Sequence, residues 1–519
     1  MKKIPALILA LAVFLVVLAL VIVPQQGGLI PSTTLRSGEL QNADPAYNET
    51  LPIQSVDMGA QGRSIIIAVV MLTHVMFANL HLGGAWVAAV TESISLRFRA
   101  TDRRYERTAR SITLFNVILF SVGATFAVGG MLFFISLYPV FTSNIFHIYW
   151  WPLLAEGILF AIEIFFLYSY WFTWDKIKPR YHQVLGYGYA VSVFFQTLMI
   201  NMVAGGMLSP GGSAISFGQA GLLTMDISTL FSWWFNPTLW PLQFHRVFAA
   251  LSFFGFMLAM LAMFHYLDRP EPAAKKYWDW VGSYGLNWGL LGLIVQPLLG
   301  IWYMHQIFTF QQISFIMIML SGRAWEILLM VGLLSALFIS VIIYLIDRRE
   351  RILALEENQR INRLFRVFLV VAVIAALILI QPATLISGVN PLGYMSYKFV
   401  ALFALILVGA LVLGIDVISL GKYHDGEWGN LTSSSRTALL VSGIIGMWIV
   451  VVMGYVRESA RAPFLINSVI PVPGGSMYPT PLSIGTIFGI WVVITAGTLL
   501  IFWFVSRVTA YHPEQAEEI

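Results

Sequence analysis

The chain of 519 residues has no cysteine. Disulfides, iron–sulfur clusters, thiolate-bound metal and covalently attached c-type haem are thereby excluded. Ligation through His, Met or carboxylate is not. Charge is scarce as well: Asp, Glu, Lys and Arg make up 11% of residues, where a soluble domain carries about 25%. Mean hydropathy is +0.79 and 58% of residues are hydrophobic, more apolar surface than a soluble fold can hide. The net charge of +4 is too small for a nucleic-acid footprint and reads as loop bias, so no nucleic-acid partner is expected. Alternating strand patterns are missing, which argues against a β-barrel. No internal repeat stands out, which argues against an inverted-repeat transporter.

What is present is a series of long apolar runs. A helix crossing the hydrocarbon core needs about 20 mostly apolar residues. The runs predict spans over Ile4–Val23, Ser64–Val90, Ile112–Leu137, Trp150–Trp171, Val184–Met207 and Leu239–Tyr266. Further spans are predicted over Val281–Leu299, Ala324–Ile346, Leu364–Ile380, Phe399–Leu420, Ala438–Tyr455 and Ile484–Val505. The expected fold is an all-α, polytopic bundle of about 12 transmembrane helices. The 17 Trp suit membrane interfaces and packing against a cofactor.

Lys and Arg concentrate in alternate connections. One set holds Lys2, Lys3, Arg97, Arg99, Arg103, Arg104, Arg107 and Arg110, and later Arg348, Arg349, Arg351, Arg360, Arg363 and Arg366. With that set inside, both termini are cytoplasmic and the protein sits in a bacterial or archaeal cytoplasmic membrane. Met1-Lys2-Lys3 before an apolar stretch is also how a signal peptide begins. Pro24-Gln25-Gln26-Gly27-Gly28 offers no small-x-small cleavage site, which favours an uncleaved anchor. The chain then divides into an anchor (1–24), a polar extracytoplasmic segment (25–62), a first helix bundle (63–300), a short loop with a helix hairpin (301–383), a second bundle part (384–506) and a tail (507–519).

Ionisable residues inside spans are costly and usually functional. His74 and His81 stand seven residues apart, on one helix face and about 10 Å apart along the axis. Glu156 and Glu163 repeat that spacing on another helix. His245 follows Asn236-Pro237 in the segment ending Phe244-His245-Arg246. Glu458 and Arg461 close a span in Glu458-Ser459-Ala460-Arg461-Ala462-Pro463-Phe464. Imidazole is the commonest axial ligand of haem iron. Two carboxylates on one buried face suit a proton relay. Each feature has a plainer reading: a His bonded to a neighbouring helix, a transporter's Glu pair, an Arg anchoring a helix end.

Taken in chain order, these segments resemble subunit I of the cytochrome bd quinol oxidases, over roughly residues 63–505. His74 with Phe77 and Leu82-Gly83 is similar to that family's first-helix His, an axial ligand of a high-spin haem. Glu156-Gly157 and Glu163, followed by Trp174-Asp175-Lys176 and His182, resemble its Glu-Gly segment, second Glu and basic loop, with the carboxylates one residue closer. Asn236-Pro237 with His245 resembles the segment whose His ligates the low-spin haem. Glu458 to Phe464 is similar to the Glu-x-Gly-Arg-Gln-Pro-Trp signature, where the Glu ligates a high-spin haem and the Arg lies beside it.

The resemblance implies a haem-bearing oxidase subunit that passes electrons to O2 beside a second membrane subunit. It implies two or three b-type haems, with a d-type haem in one position left open. His74, His245 and Glu458 are the implied iron ligands. Lys398, Arg246 and His81 are further cofactor-binding candidates, and Glu156, Glu163 and Arg461 serve the chemistry. Departures are equally plain. The family's Ser-Phe-Arg-x-Met segment reads Ser396-Tyr397-Lys398-Phe399-Val400 here, and Val400 cannot bind iron; Met395 and His305 are the substitutes at hand, and a five-coordinate or absent low-spin haem is the alternative. The polar quinol-oxidising loop is replaced by Gln296-Pro297, a short segment with His305, and two added apolar spans. Quinol oxidation at the usual place is therefore not expected, and a periplasmic redox protein or partner subunit is an alternative donor. His81 has no counterpart in the resemblance. A bd-derived cytochrome relaying electrons without O2 reduction, and a haem-free transporter or structural subunit, stay open; an absorption spectrum separates the last from the others.

Overall fold

The computed structural model of the chain describes residues 59–98, 102–211, 216–217, 222–319, 323–352, 356–381, 396–419, 428–471 and 484–509. The expected first span, Ile4–Val23, and most of segment 25–62 lie outside the described residues. Each of the other eleven predicted spans falls on a helix long and apolar enough to cross a membrane. These are α1 (Gly59–Phe98), α2 (Arg104–Leu137), α4 (Trp150–Phe172), α5 (Pro179–Leu208), α7 (Leu239–Asp268) and α8 (Pro272–Phe310). They continue with α10 (Ala324–Ile352), α11 (Glu356–Leu379), α12 (Ser396–Ile418), α13 (Ser433–Arg461) and α14 (Ile484–Thr509). The chain is an integral membrane protein.

Successive long helices run antiparallel, so the connections gather at two ends. End A holds the short helices α3 (Pro139–Ile148), α6 (Ile227–Trp234) and α9 (Gln312–Met319). It also holds two small hairpins, β1 (Ser216–Phe217) with β2 (Leu223–Thr224), and β3 (Phe464–Ile466) with β4 (Ile470–Pro471). Local chemistry sets these breaks. Pro139 lacks the N–H that would continue α2 and opens α3 instead. Asp226 caps α6, its Oδ1 accepting from Thr229 N at 2.7 Å.

Helix α7 is the hub, packed against α1, α8 and α13. Without a hydrophobic drive between helices in lipid, close packing of small residues does the work. A Cβ on Gly255 of α7 would lie 2.2 Å from the Gly289 nitrogen of α8. Ser252 Oγ donates to the Gly289 carbonyl at 2.9 Å across the same seam. On the other side, a Cβ on Gly83 of α1 would lie 2.2 Å from the Ala250 carbonyl oxygen. These contacts bring the helices bearing His74, His81 and His245 side by side.

End B is tied by a buried ion cluster centred on α10. Arg348 bonds Asp416 of α12 and Ser283 of α8, both ions fully buried. Arg351 Nη1 bonds Asp279 of α8 at 3.0 Å, and its Nε bonds Asp347 at 2.9 Å. Asp347 also accepts from Thr432 at 2.8 Å and from Ser435 at the start of α13. Removing one partner of a buried pair leaves an uncompensated charge and costs roughly 3–5 kcal/mol, whereas apolar replacement of both is close to neutral. Asp416→Ala is therefore expected to lower the thermal unfolding temperature of the purified protein sharply. The pair Arg348→Met/Asp416→Leu should restore most of it; equal loss in both variants would refute the balance.

Candidate functional site

Towards end A the helices enclose one cavity of about 1610 Å³, larger than the roughly 300–1,000 Å³ of a pocket for one small ligand. His74, His81, Glu156, Glu163, His245, Arg246, Glu458 and Arg461 all line it. Of the nine candidate site residues, Lys398 alone is not in its wall. Residues far apart in the chain thus share one space because α1, α4, α7 and α13 converge there.

His74 is half-buried on α1, with Nδ1 3.1 Å from the Gly123 carbonyl oxygen of α2. A carbonyl only accepts, so Nδ1 carries the hydrogen and Nε2 keeps its lone pair. Nε2 has no protein partner among the described residues, and this arrangement is how metal-ligating imidazoles are oriented. His245 is buried on α7. Gln296 Nε2 stands 3.4 Å from its Nε2, a long contact. Gly300 faces the same nitrogen, and a Cβ there would come within 3.6 Å of it.

Three guanidiniums follow along the wall. Arg246 Nη1 donates to Asn201 Oδ1 at 2.6 Å, and Arg457 Nη2 to the Ala204 carbonyl at 3.1 Å. Both acceptors are neutral, and among the described residues neither Arg has a carboxylate partner. The two lie close enough to repel each other, as do Arg457 and Arg461. A pair of partly desolvated cations whose hydrogen bonds go to neutral acceptors suits an anionic ligand. Arg461 is fixed by the Leu465 carbonyl at 2.5 Å and by Glu458 Oε2 at 2.5 Å. Glu458 is half-exposed toward the cavity, its Oε1 without a protein partner among the described residues.

Glu156 and Glu163 both face the cavity from α4, Glu156 half-buried and Glu163 fully. His81 meets Glu163: its Nε2 bonds Glu163 Oε1, and the Tyr189 hydroxyl lies 3.0 Å from Nε2 and 3.1 Å from Nδ1. The ring, a cofactor-binding candidate in the sequence, is engaged by protein partners. Lys398 donates to the Leu379 and Gln381 carbonyls at 3.2 and 2.5 Å, closing the end of α11. Val400 is 69% exposed on the outer face of α12. Of the two substitutes for the missing Met, His305 lines the cavity and Met395 lies outside the described residues.

Three groups escaped the sequence reading. Glu92 lies two residues past the predicted end of its span, yet it is 4% exposed and bonds His182 Nδ1 at 2.6 Å and Tyr170 at 2.9 Å. Glu326, at the start of α10, accepts from Ser459 Oγ at 2.9 Å, while Arg323 donates to that hydroxyl at 3.1 Å. Arg457 was visible only as one more basic residue at a span end. Its value arises from nearness to Arg246, which no spacing in the sequence encodes.

Among the described residues, no three His, Asp or Glu side chains converge as a bare metal ion needs. Single ligands spaced around a large apolar cavity suit a planar cofactor that brings its own equatorial donors. The residues present therefore fit haem: an open imidazole nitrogen, a free carboxylate oxygen and unpaired guanidiniums for anionic substituents.

The family model for cytochrome bd terminal oxidase subunit I matches residues 64–513. Among solved structures, the bd oxidase from Geobacillus thermodenitrificans is similar with a TM-score of 0.53 at 14% identity. That match covers 87% of this chain and 99% of the other, and it bears on the fold alone. No curated protein is significantly similar in sequence. With its helices, cavity and motifs spread along the matched length, the chain belongs to the cytochrome bd terminal oxidase subunit I family.

Proposed function

We propose that this chain is the haem-bearing subunit of a divergent bd-type respiratory oxidase and passes electrons to O2. The observation that carries the reading is His74, whose Nδ1 is pinned to Gly123 while Nε2 stands open on the cavity. Haem, when bound, supplies the electron carriers and the iron at which O2 is reduced. His74 and Glu458 are the ligands for high-spin haem, and His245 for low-spin haem. Arg246, Arg457 and Arg461 neutralise propionates through charge-assisted hydrogen bonds. Glu156 and Glu163, about two turns apart on one wall, hold and hand on the protons that O2 reduction consumes. Topology supports end A as the outer side and end B, rich in Arg, as the cytoplasmic side. A second membrane subunit completes the complex.

One observation favours the reading of an electron relay without O2 chemistry. The position matching the family's Met ligand is Val400, and it turns away from the cavity. The proposed oxidase binds CO at its high-spin site; the relay does not. A reduced-minus-oxidised spectrum with and without CO decides between them, and lack of a Soret band would defeat both.

His74→Ala is expected to remove most high-spin haem absorbance while the protein still inserts; unchanged haem content would sink the ligand assignment. Glu163→Gln should slow turnover by roughly 10²-fold, the scale of one general acid–base group, with the haem spectrum kept. If neither Glu156→Gln nor Glu163→Gln affects turnover, the relay is wrong. The region of the family's quinol loop is occupied here by α9, α10 and α11. A short-chain quinol should therefore reduce the His245 haem slowly and without sensitivity to quinol-site inhibitors. Fast, inhibitor-sensitive reduction through residues 296–321 would overturn that expectation.

A further inference from the structure

Two sets of side chains built from the same three helices stand at different depths. The deeper set joins Glu92 of α1, Tyr170 of α4 and His182 of α5. His182 Nε2 lies 2.8 Å from the Tyr170 carbonyl oxygen, so that nitrogen must donate, and its other nitrogen meets Glu92 at 2.6 Å. One ring position is therefore locked to the backbone. The set nearer the cavity joins His81 of α1, Glu163 of α4 and Tyr189 of α5. Here neither ring nitrogen bonds a backbone carbonyl among the described residues. Both of His81's nitrogens face groups that can give or take a proton: Glu163 and the Tyr189 hydroxyl. The remaining neighbour, Phe120 of α2, packs on the ring with centroids 5.6 Å apart and does not titrate.

We propose that His81 is the proton partner of Glu163, and that a proton moves between the two with no change in the pair's net charge. The inference rests on the reading of Glu163 as a proton carrier. The bookkeeping is closed. With the proton on His81 Nε2, the pair is imidazolium and carboxylate. With it on Glu163 Oε1, the pair is imidazole and carboxylic acid. Both states are neutral overall, so interconversion moves one proton and creates no net buried charge, which would cost several kcal/mol; a proton handed on from Glu163 leaves imidazole and carboxylate, and neutrality returns when a proton enters at His81 Nδ1 from the Tyr189 side. Glu163 Oε2 has no partner among the described residues, which leaves one oxygen for exchange with the Glu156 side of the cavity wall. His182 can share a proton with Glu92 through Nδ1, but Nε2 is committed to the Tyr170 carbonyl, so no second ring nitrogen is left to take a proton in.

The test uses the purified holoprotein and three variants: His81→Leu, His81→Gln and Glu163→Gln. Infrared difference spectra isolate the Glu163 carboxyl band as the one lost in Glu163→Gln. In His81→Leu, Glu163 is left in apolar surroundings and must hold its own proton. A protonated-carboxyl C=O band is expected to appear or shift, and to vanish in the His81→Leu/Glu163→Gln double variant. An unchanged Glu163 band overturns the pairing. His81→Gln keeps a hydrogen-bond donor beside Glu163 but carries no proton. It should retain haem content and thermal stability yet slow turnover roughly as much as Glu163→Gln, and the double variant should be no slower than either single one. Full turnover in His81→Gln overturns the exchange role. A band shift with full turnover in Glu163→Gln would instead leave the pairing intact and defeat the relay reading on which it rests.

Discussion

Every polar group within a bilayer must find its partner inside the protein, because no water is there to supply one. The distribution of charge in this chain follows from that rule. At end B, two Arg and three Asp close on one another around α10. At mid-depth, carboxylates meet imidazoles and tyrosines on α1, α4 and α5. Along the cavity, among the described residues, Arg246 bonds Asn201 and Arg457 bonds a backbone carbonyl, and neither is bonded to a carboxylate. Two neighbouring half-buried guanidiniums that repel each other and bond neutral acceptors fit a wall shaped for something other than packing. The same logic separates His182, closed on both sides, from His74, closed on one.

The fold was legible because hydrocarbon thickness imposes run length. Eleven predicted spans lie on helices, and the errors are at edges, where helices extend past the apolar run. Leu239–Tyr266 matches α7 to within two residues, whereas α8 begins nine residues before Val281. That edge error hid Glu92, which was left out of a span that ends at Phe98. The site was legible where chemistry is carried by residue type in a rare setting: His74, His245, Glu163 and Glu458 reach one cavity. It was not legible where rotation decides. Lys398 and Val400 sit in the right segment, yet one bonds the end of α11 and the other faces outward. His81 shares a face with His74, but a partner on α4 claims its nitrogen, and nothing in the spacing of α1 could foretell it.

The hairpin that the sequence reading treats as an addition is bound into the body at both ends. At end B, Arg348 and Arg351 hold α10 to α8 and α12 through fully buried carboxylates. At end A, the first turn of α10 places Glu326 on Ser459, the residue after Glu458, with Arg323 on the same hydroxyl. A segment loosely appended to a finished fold would keep such charges at the surface. Here α10 supplies part of the cavity wall, so the cavity's shape and the placement of the Glu458 turn depend on it.

On the proposed function, that dependence bears on how a donor would reach the site. A mobile polar loop can open to admit a quinol from the lipid, because its backbone can exchange partners with water. Helix α10 cannot: moving it away from α13 would strip Glu326 and Arg323 of their shared hydroxyl and break the seam with the glutamate-bearing turn. At its other end the Arg348–Asp416 pair would have to part in a setting without water, at a cost of several kcal/mol. The wall on this side is therefore fixed. On the proposed function, a donor would act at the surface near His245, Trp302 and His305, where α7 and α8 meet end A and where Trp302 and His305 are exposed. A donor that stays outside and passes only electrons needs no opening at all, and a static wall is compatible with it in a way that a static wall is not with a diffusing two-electron substrate.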